Sequence, residues 1–221
     1  MELDYQQTVL KYINGNKELA ALFKYYITHC TSLCLPYHNM KHTFTMMYHI
    51  IQIFEHQKEY DINLSTLDLL VLLISALYHD YNHSGGLYSD DINISNAIAG
   101  FKNAINSVFT EYNNPMYDEY IIPCIRATQY PYIIEDKTLC QKIIRECDII
   151  SQISPDILTH VICGLKEENR TTKKWKDALL AYVEFIVPML EDLQLQYCKD
   201  YWKTNSDFFF NIIKLTTDII K

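Results

Sequence analysis

The stretch Ser75–Asn93, SALYHDYNHSGGLYSDDIN, organises the reading of the whole chain. It sets His79 and Asp80 side by side at the end of an apolar run. His83 follows four positions after His79, and the pair Gly85-Gly86 comes next. The run leading in, Leu64 to His79, is apolar on almost every side, the pattern of a central buried helix. Imidazole and carboxylate together at a helix end suit a divalent cation. Burying them without a partner would cost roughly several kcal/mol, and a bound ion removes that cost. Two other pieces give the pair its weight: LPYHNMKH at Leu35–His42, and RECDIIS at Arg145–Ser151.

Working outward, composition narrows the fold. In 221 residues there are 5 glycines and 6 prolines, with 49% hydrophobic residues. Turn-rich β folds and glycine-loop nucleotide folds need more of both, so the expectation is all-α, one domain over 1–221. Neither G-x-G-x-x-G nor G-x-x-x-x-G-K-[ST] occurs. A net charge of −8 gives no general attraction to nucleic acid or to an anionic membrane, so neither is expected as a partner. The basic run Lys166–Lys176 reads as a solvated helix end and loop. The seven cysteines show no C-x-x-C and read as reduced, buried thiols. MELDYQQ at the start has no apolar signal core, and Leu67–Tyr78 is too short to span a bilayer. A cytoplasmic location is expected.

Apolar spacing predicts helices in order. A first covers Leu3–Ile13, and a second Glu18 to about Leu33. A third runs from Asn39 to about Gln57, with His38 and His42 on one face if it starts early; His49 and His56 read as surface or boundary histidines. Ser65 or Asn63 caps the central helix, and Asp90 or Asp91 caps one running to about Phe109. A loop at Glu111–Pro115 precedes a helix at Met116–Thr128, ended by Gln129-Tyr130-Pro131. Lys137–Gln152 is amphipathic, with Asp148 near its C-terminus, where the helix dipole disfavours a carboxylate that lacks a cation. Ser154-Pro155 starts another helix. Lys173–Leu195 should kink or break at Pro188, and Asn205 or Ser206 should start the last helix.

Four residues from three helices can then converge on one ion: His42, His79, Asp80 and Asp148. This donor set suits Zn²⁺, Mn²⁺, Fe²⁺ or, with more water, Mg²⁺. Asp80 could bridge to a second ion. Two such ions would activate water and clamp both ends of an in-line displacement at phosphorus. His38 could protonate the leaving oxygen, with His83 orienting water or bonding the bridging hydroxide.

These motifs resemble the HD-domain metal-dependent phosphohydrolases, and more narrowly the catalytic domain of class I cyclic nucleotide phosphodiesterases. PYHNMKH (Pro36–His42), HDYNHSGG (His79–Gly86) and DINISNA (Asp91–Ala97) carry the resemblance. RATQY (Arg126–Tyr130), ECDIIS (Glu146–Ser151) and AYVEFIVPML (Ala181–Leu190) extend it over a motif core of about 36–190. The resemblance implies a compact multi-helix bundle and two divalent metal ions. It implies hydrolysis of a 3′,5′-cyclic nucleotide, or a related cyclic nucleotide signal, to an open monophosphate by metal-activated hydroxide. It makes His38 the leaving-group acid and His42, His79, Asp80 and Asp148 the metal ligands. His83 joins the second metal's water shell, where Thr128 is a further candidate. It makes Tyr182 the aromatic clamp under the base, and Tyr37 a further substrate contact beside His38. Two positions depart from it. Leu179 stands where the family has a base-reading glutamine, and Ser151 where it has an asparagine. The metal site alone does not choose the bond, so a nucleotide monoesterase, triphosphohydrolase or alarmone hydrolase is the enzymatic alternative. A non-catalytic nucleotide-binding module is the other.

Overall fold

The computed structural model describes residues 5–109, 117–132, 135–155, 158–168 and 175–219. The fold among them is all-α. Ten α-helices follow in order: α1 (Tyr5–Gly15), α2 (Lys17–His29), α3 (Met40–Glu55), α4 (Thr66–Tyr78), α5 (Asp90–Val108), α6 (Ile122–Ala127), α7 (Leu139–Ser151), α8 (Leu158–Glu168), α9 (Trp175–Glu191) and α10 (Gln196–Ile219). No strand occurs among the described residues. Among the described residues no helix is long and apolar enough to cross a membrane.

The expected central helix is α4. Its residues Leu72, Ile74, Ala76, Leu77 and Tyr78 are fully buried, and α3, α7, α2, α6 and α5 all pack against it. Ser65 starts it with a capping box: its hydroxyl accepts the Asp68 N–H, and the Asp68 carboxylate accepts the Ser65 N–H at 2.8 Å. Two donors that a helix start leaves orphaned are thereby satisfied. Thr138 and Gln141 do the same for α7. The close packing of α5 has one visible requirement. A Cβ on Gly100 would lie 2.1 Å from the Tyr81 ring, so only glycine lets α5 approach there.

Several expected boundaries move. Helix α3 begins at Met40 with Asn39 as N-cap, so His38 sits in the preceding turn and does not share a helical face with His42. Ser89, not an aspartate, precedes α5, and the Asp90 carboxylate instead accepts the Tyr130 N–H at 2.6 Å. A π-turn at Tyr117–Ile121 leads into α6, and the loop Glu111–Pro115 lies outside the described residues. The start expected at Ser154-Pro155 adjoins residues outside the described ones; the Ser154 carbonyl accepts the Leu158 N–H at 2.9 Å, and α8 is described from Leu158. Pro188 ends nothing, because α9 continues to Glu191. Asn205 and Ser206 lie inside α10. Their side chains donate to the Tyr201 and Lys203 carbonyls within the helix, so they cap no start. His49 is buried, not at the surface. All seven thiols are free, though Cys34 is exposed.

Candidate metal centre and active site

The turn before α3 is built by Asn39. Its side-chain oxygen accepts the Lys41 N–H at 2.9 Å, and its amide donates to the Leu35 carbonyl at 2.8 Å. That clasp presents Tyr37 and His38. Helix α8 then closes on the turn at Gly164, where a Cβ would sit 2.7 Å from the Pro36 carbonyl oxygen. One turn further along α8, on the same face, Glu168 meets the same residues. Its carboxylate accepts the backbone N–H groups of Tyr37 and His38 and pairs with His38 Nδ1. Sequence reasoning missed Glu168. It lies 130 residues from His38, within the basic run taken as solvated, and most of the rest of that run lies outside the described residues.

Helix α3 carries His42, the end of α4 carries His79 and Asp80, and α7 carries Asp148. Their donor atoms converge. His42 Nε2 lies 3.2 Å from His79 Nε2 and 3.1 Å from Asp148 Oδ1. Asp80 Oδ2 is 3.0 Å from His79 Nε2 and 3.5 Å from His42 Nε2. Two ligand atoms about 2.1 Å from one cation are themselves about 3.0–3.4 Å apart. The other ring nitrogens are already engaged. His79 Nδ1 donates to the Ala76 carbonyl at 2.8 Å, and His42 Nδ1 lies 3.2 Å from both Tyr37 Oη and Ser151 Oγ. Both Nε2 atoms therefore face the centre with their outer partners set, as metal-ligating histidines do. Asp80 Oδ2 is buried without a hydrogen bond. The residues thus fit a divalent cation. His42, His79 and Asp148 form one group able to hold an ion, and His38, Asp80 and His83 form a second.

Charge is concentrated here. Burial alone would raise the Asp80 carboxyl, but His79, His38 and His83 outweigh it and hold the group well below the usual carboxylate range. Burial opposes a charge on His79, yet Asp80 and Asp148 raise its pKa to about 9. These two groups attract cationic charge, whether proton or metal. His38 and His83 stack with ring centroids 3.6 Å apart, and their pKa values part. Against the cost of burial, Asp80 and Glu168 raise His38. Burial and the neighbouring His38 lower His83 to about 4. Of the pair, His38 is the one biased toward its charged form.

These side chains line a cavity of about 120 Å³. Its walls beyond the charged floor include Ile94, Thr128, Tyr130, Gln152, Leu165 and Phe185. Arg145 holds the wall segment after α6. Its guanidinium donates to the Ala127 carbonyl at 2.9 Å, pairs with Asp136 at 2.9 Å and lies 4.5 Å from the Tyr132 ring centre. Tyr37 and Thr128 line the cavity as well, the Thr128 hydroxyl donating to the Ile125 carbonyl. Tyr182 is not among the lining residues. It is buried behind the wall, its hydroxyl donating to the Gln152 carbonyl at 3.3 Å. The aromatic faces at the mouth belong to Phe185 and Tyr130, edge to face at 4.9 Å. Phe185 lies one turn from Tyr182 on α9, a spacing the sequence leaves ambiguous.

An all-α bundle whose floor gathers imidazoles and carboxylates beside a histidine biased toward its charged form has the equipment of a metal-dependent hydrolase of phosphoric esters. The chain is more specifically similar to one family. Residues 37–106 match the model of the 3′5′-cyclic nucleotide phosphodiesterases, a span holding His38, His42, His79, Asp80 and His83. The match bears out the resemblance and marks a phosphodiesterase, a hydrolase of phosphoric diester bonds. No curated protein matches the chain.

Proposed function

We propose that the chain acts as one catalytic domain over 1–221 and hydrolyses a 3′,5′-cyclic nucleotide to the 5′-monophosphate. The observation that carries this reading is His38: a histidine whose pKa Asp80 and Glu168 raise, paired with Glu168 at the wall of a cavity whose floor is a double His/Asp cluster. A triphosphohydrolase that breaks a phosphoanhydride has less need of a dedicated acid, because its phosphate leaving group departs readily. A ring-opening diesterase must protonate a ribose oxygen.

His42, His79, Asp80 and Asp148 would hold the tighter of two divalent ions, and Asp80 would reach the second beside His83. Those ions, when bound, supply Lewis acidity toward the phosphoryl oxygens and activate water. The chain's own residues do the rest. Glu168 occupies His38 Nδ1, so Nε2–H is the proton delivered to the leaving 3′ oxygen. His83, stacked on His38 and held by Asn93 at 3.0 Å and the Gly85 N–H at 3.1 Å, keeps that ring in place. The cavity is smaller than the roughly 300–1,000 Å³ of pockets that enclose a whole ligand. It suits the phosphoryl end, and the base would lie toward Phe185 and Tyr130.

Mass-spectrometric product analysis tests this. Protein loaded with Zn²⁺, Mg²⁺ or Mn²⁺ would meet a panel of 3′,5′-cyclic mononucleotides, cyclic dinucleotides, and open-chain mono- and triphosphates. Ring opening to a 5′-monophosphate is expected. Release of phosphate or triphosphate from open-chain nucleotides, with the cyclic panel untouched, would overturn the reading.

A further inference from the structure

A diesterase that discriminates among nucleotides must read the base edge, and both residues that the resemblance would assign to that task are diverted. Leu179 is fully buried in the core, has no hydrogen-bonding group and does not line the cavity. Ser151 is also fully buried. Its hydroxyl donates to the Asp148 carbonyl at 2.7 Å and lies 3.2 Å from His42 Nδ1, so it serves a metal-ligand histidine. The other polar side chains of the floor are similarly committed: His38 to Glu168, His83 to Asn93 and Gly85, Asp90 to Tyr130, and Thr128 to Ile125.

Gln152 is different. It is 8% exposed and lines the cavity. Its backbone is tied on both sides: its N–H donates to the Ile149 carbonyl, and its carbonyl accepts the Tyr182 hydroxyl. Its side-chain carboxamide makes no hydrogen bond within the described structure. With no protein partner among the described residues at the cavity wall, that carboxamide is open to a ligand with a matching edge. Gln152 also stands four residues after Asp148, on the same side of α7 and about one turn, 5.4 Å, further along. Asp148, Gln152, Leu165 and Phe185 all line the same cavity.

We infer that Gln152 is the specificity-determining residue of the site: its carboxamide reads the hydrogen-bonding edge of the base of a cyclic nucleotide, seated against Phe185 and Leu165. The inference rests on the cyclic-nucleotide reading. A carboxamide presents one donor and one acceptor side by side. That pattern matches the paired donor and acceptor of a purine edge, as glutamine does when it binds adenine. It also gives Tyr182 a place, as the positioning residue that fixes the Gln152 backbone.

The test compares the metal-loaded wild type with Gln152→Leu and Gln152→Glu on four 3′,5′-cyclic mononucleotides and on bis(4-nitrophenyl) phosphate. The last is a diester with no base, so it reports the metal centre and the folding of each variant. Relative to that diester, Gln152→Leu should lose about tenfold to a hundredfold in kcat/KM on the preferred nucleotide, the size of one or two lost base contacts. Its preference among bases should flatten. Gln152→Glu offers two acceptors and no donor, so its preference should move toward guanine, whose edge offers two donors. Wild-type turnover of cyclic nucleotides, with the same base ratios in both variants, would overturn this inference alone. Wild-type turnover of the base-free diester without any cyclic nucleotide would overturn the substrate reading beneath it.

Discussion

Helix α3 carries two buried histidines two turns apart, His42 and His49, each 2% exposed. Seven residues along one helix separate two different environments. At His42 the surroundings are His79, Asp80 and Asp148, all within 3.5 Å of its Nε2. At His49 the surroundings are aromatic. Nδ1 meets the Tyr197 hydroxyl at 2.9 Å, the Tyr201 ring lies edge-on at 4.5 Å, and Nε2 has no partner. The consequence shows in the titrating groups. His79, in the first environment, is raised to about 9, whereas burial alone lowers His49 to about 3. Burial does not make a histidine functional. Carboxylates placed to receive a cation do, and the α4 end and α7 supply them on one side of α3 only.

The largest expected effect tests the charged end directly. Asp80→Ala removes a carboxylate that groups with His38 and His83 and also lies 3.0 Å from His79 Nε2. Purified variant should lose divalent metal by elemental analysis and fall to background turnover. Full metal occupancy would show that Asp80 is not a ligand, and the contrast with His49 would lose its meaning.

His38→Ala asks whether the charged end contains an acid as well as ligands. It should keep its metal and lose about 10²–10⁴-fold in kcat, the usual span of general acid catalysis. Unchanged kcat would remove His38 from the reaction.

Glu168→Gln acts one step further out. It keeps the shape but removes the charge that, with Asp80, raises His38. A fall of about tenfold to a hundredfold is expected, the scale of residues that orient a functional histidine. The pH profile is the sharper reading. In the proposed role His38 works protonated, so activity should fail as pH rises through its pKa; with Glu168 neutralised, that alkaline limb should move to lower pH. A limb that stays in place would mean that Glu168 only braces the Tyr37–His38 turn.

Much of this contrast was legible in the residues. The unbroken apolar character of Leu64–His79 identified α4 as the centre, because a helix buried on all faces leaves no polar stripe. The H-N-x-x-H and H-D-x-x-H pieces announced a cluster, because local spacing controls which donors share a helix end. Glu168 was illegible because its partners come from a turn 130 residues away and become neighbours only where Gly164 lets α8 close in. Asn205 and Ser206 misled because a polar side chain that could cap a helix can equally bond to a carbonyl one turn back. His49 was legible in principle. Met46, Met47, Ile50, Ile51 and Ile53 surround it and are fully buried, so α3 has no free polar face there. A histidine set among them has nowhere to go but the core.

The smallest effect comes from that buried histidine and concerns stability rather than turnover. His49 is held neutral in the folded protein down to a pKa of about 3, against an ordinary 6.5 once the chain unfolds. Below about pH 6.5 the unfolded chain takes up a proton that the folded one refuses. The stability tied to His49 is therefore fully present above pH 6.5 and is lost as pH falls toward 3, at up to about 1.4 kcal/mol per pH unit. His49→Gln keeps a hydrogen-bonding partner for the Tyr197 hydroxyl and does not titrate. Urea midpoints at pH 7 and pH 5 should show the variant losing less stability on acidification than the wild type, whatever its stability at pH 7. Equal losses would mean that water or a shifted tyrosine satisfies Nε2, and that the aromatic end of α3 tolerates charge as the carboxylate end does.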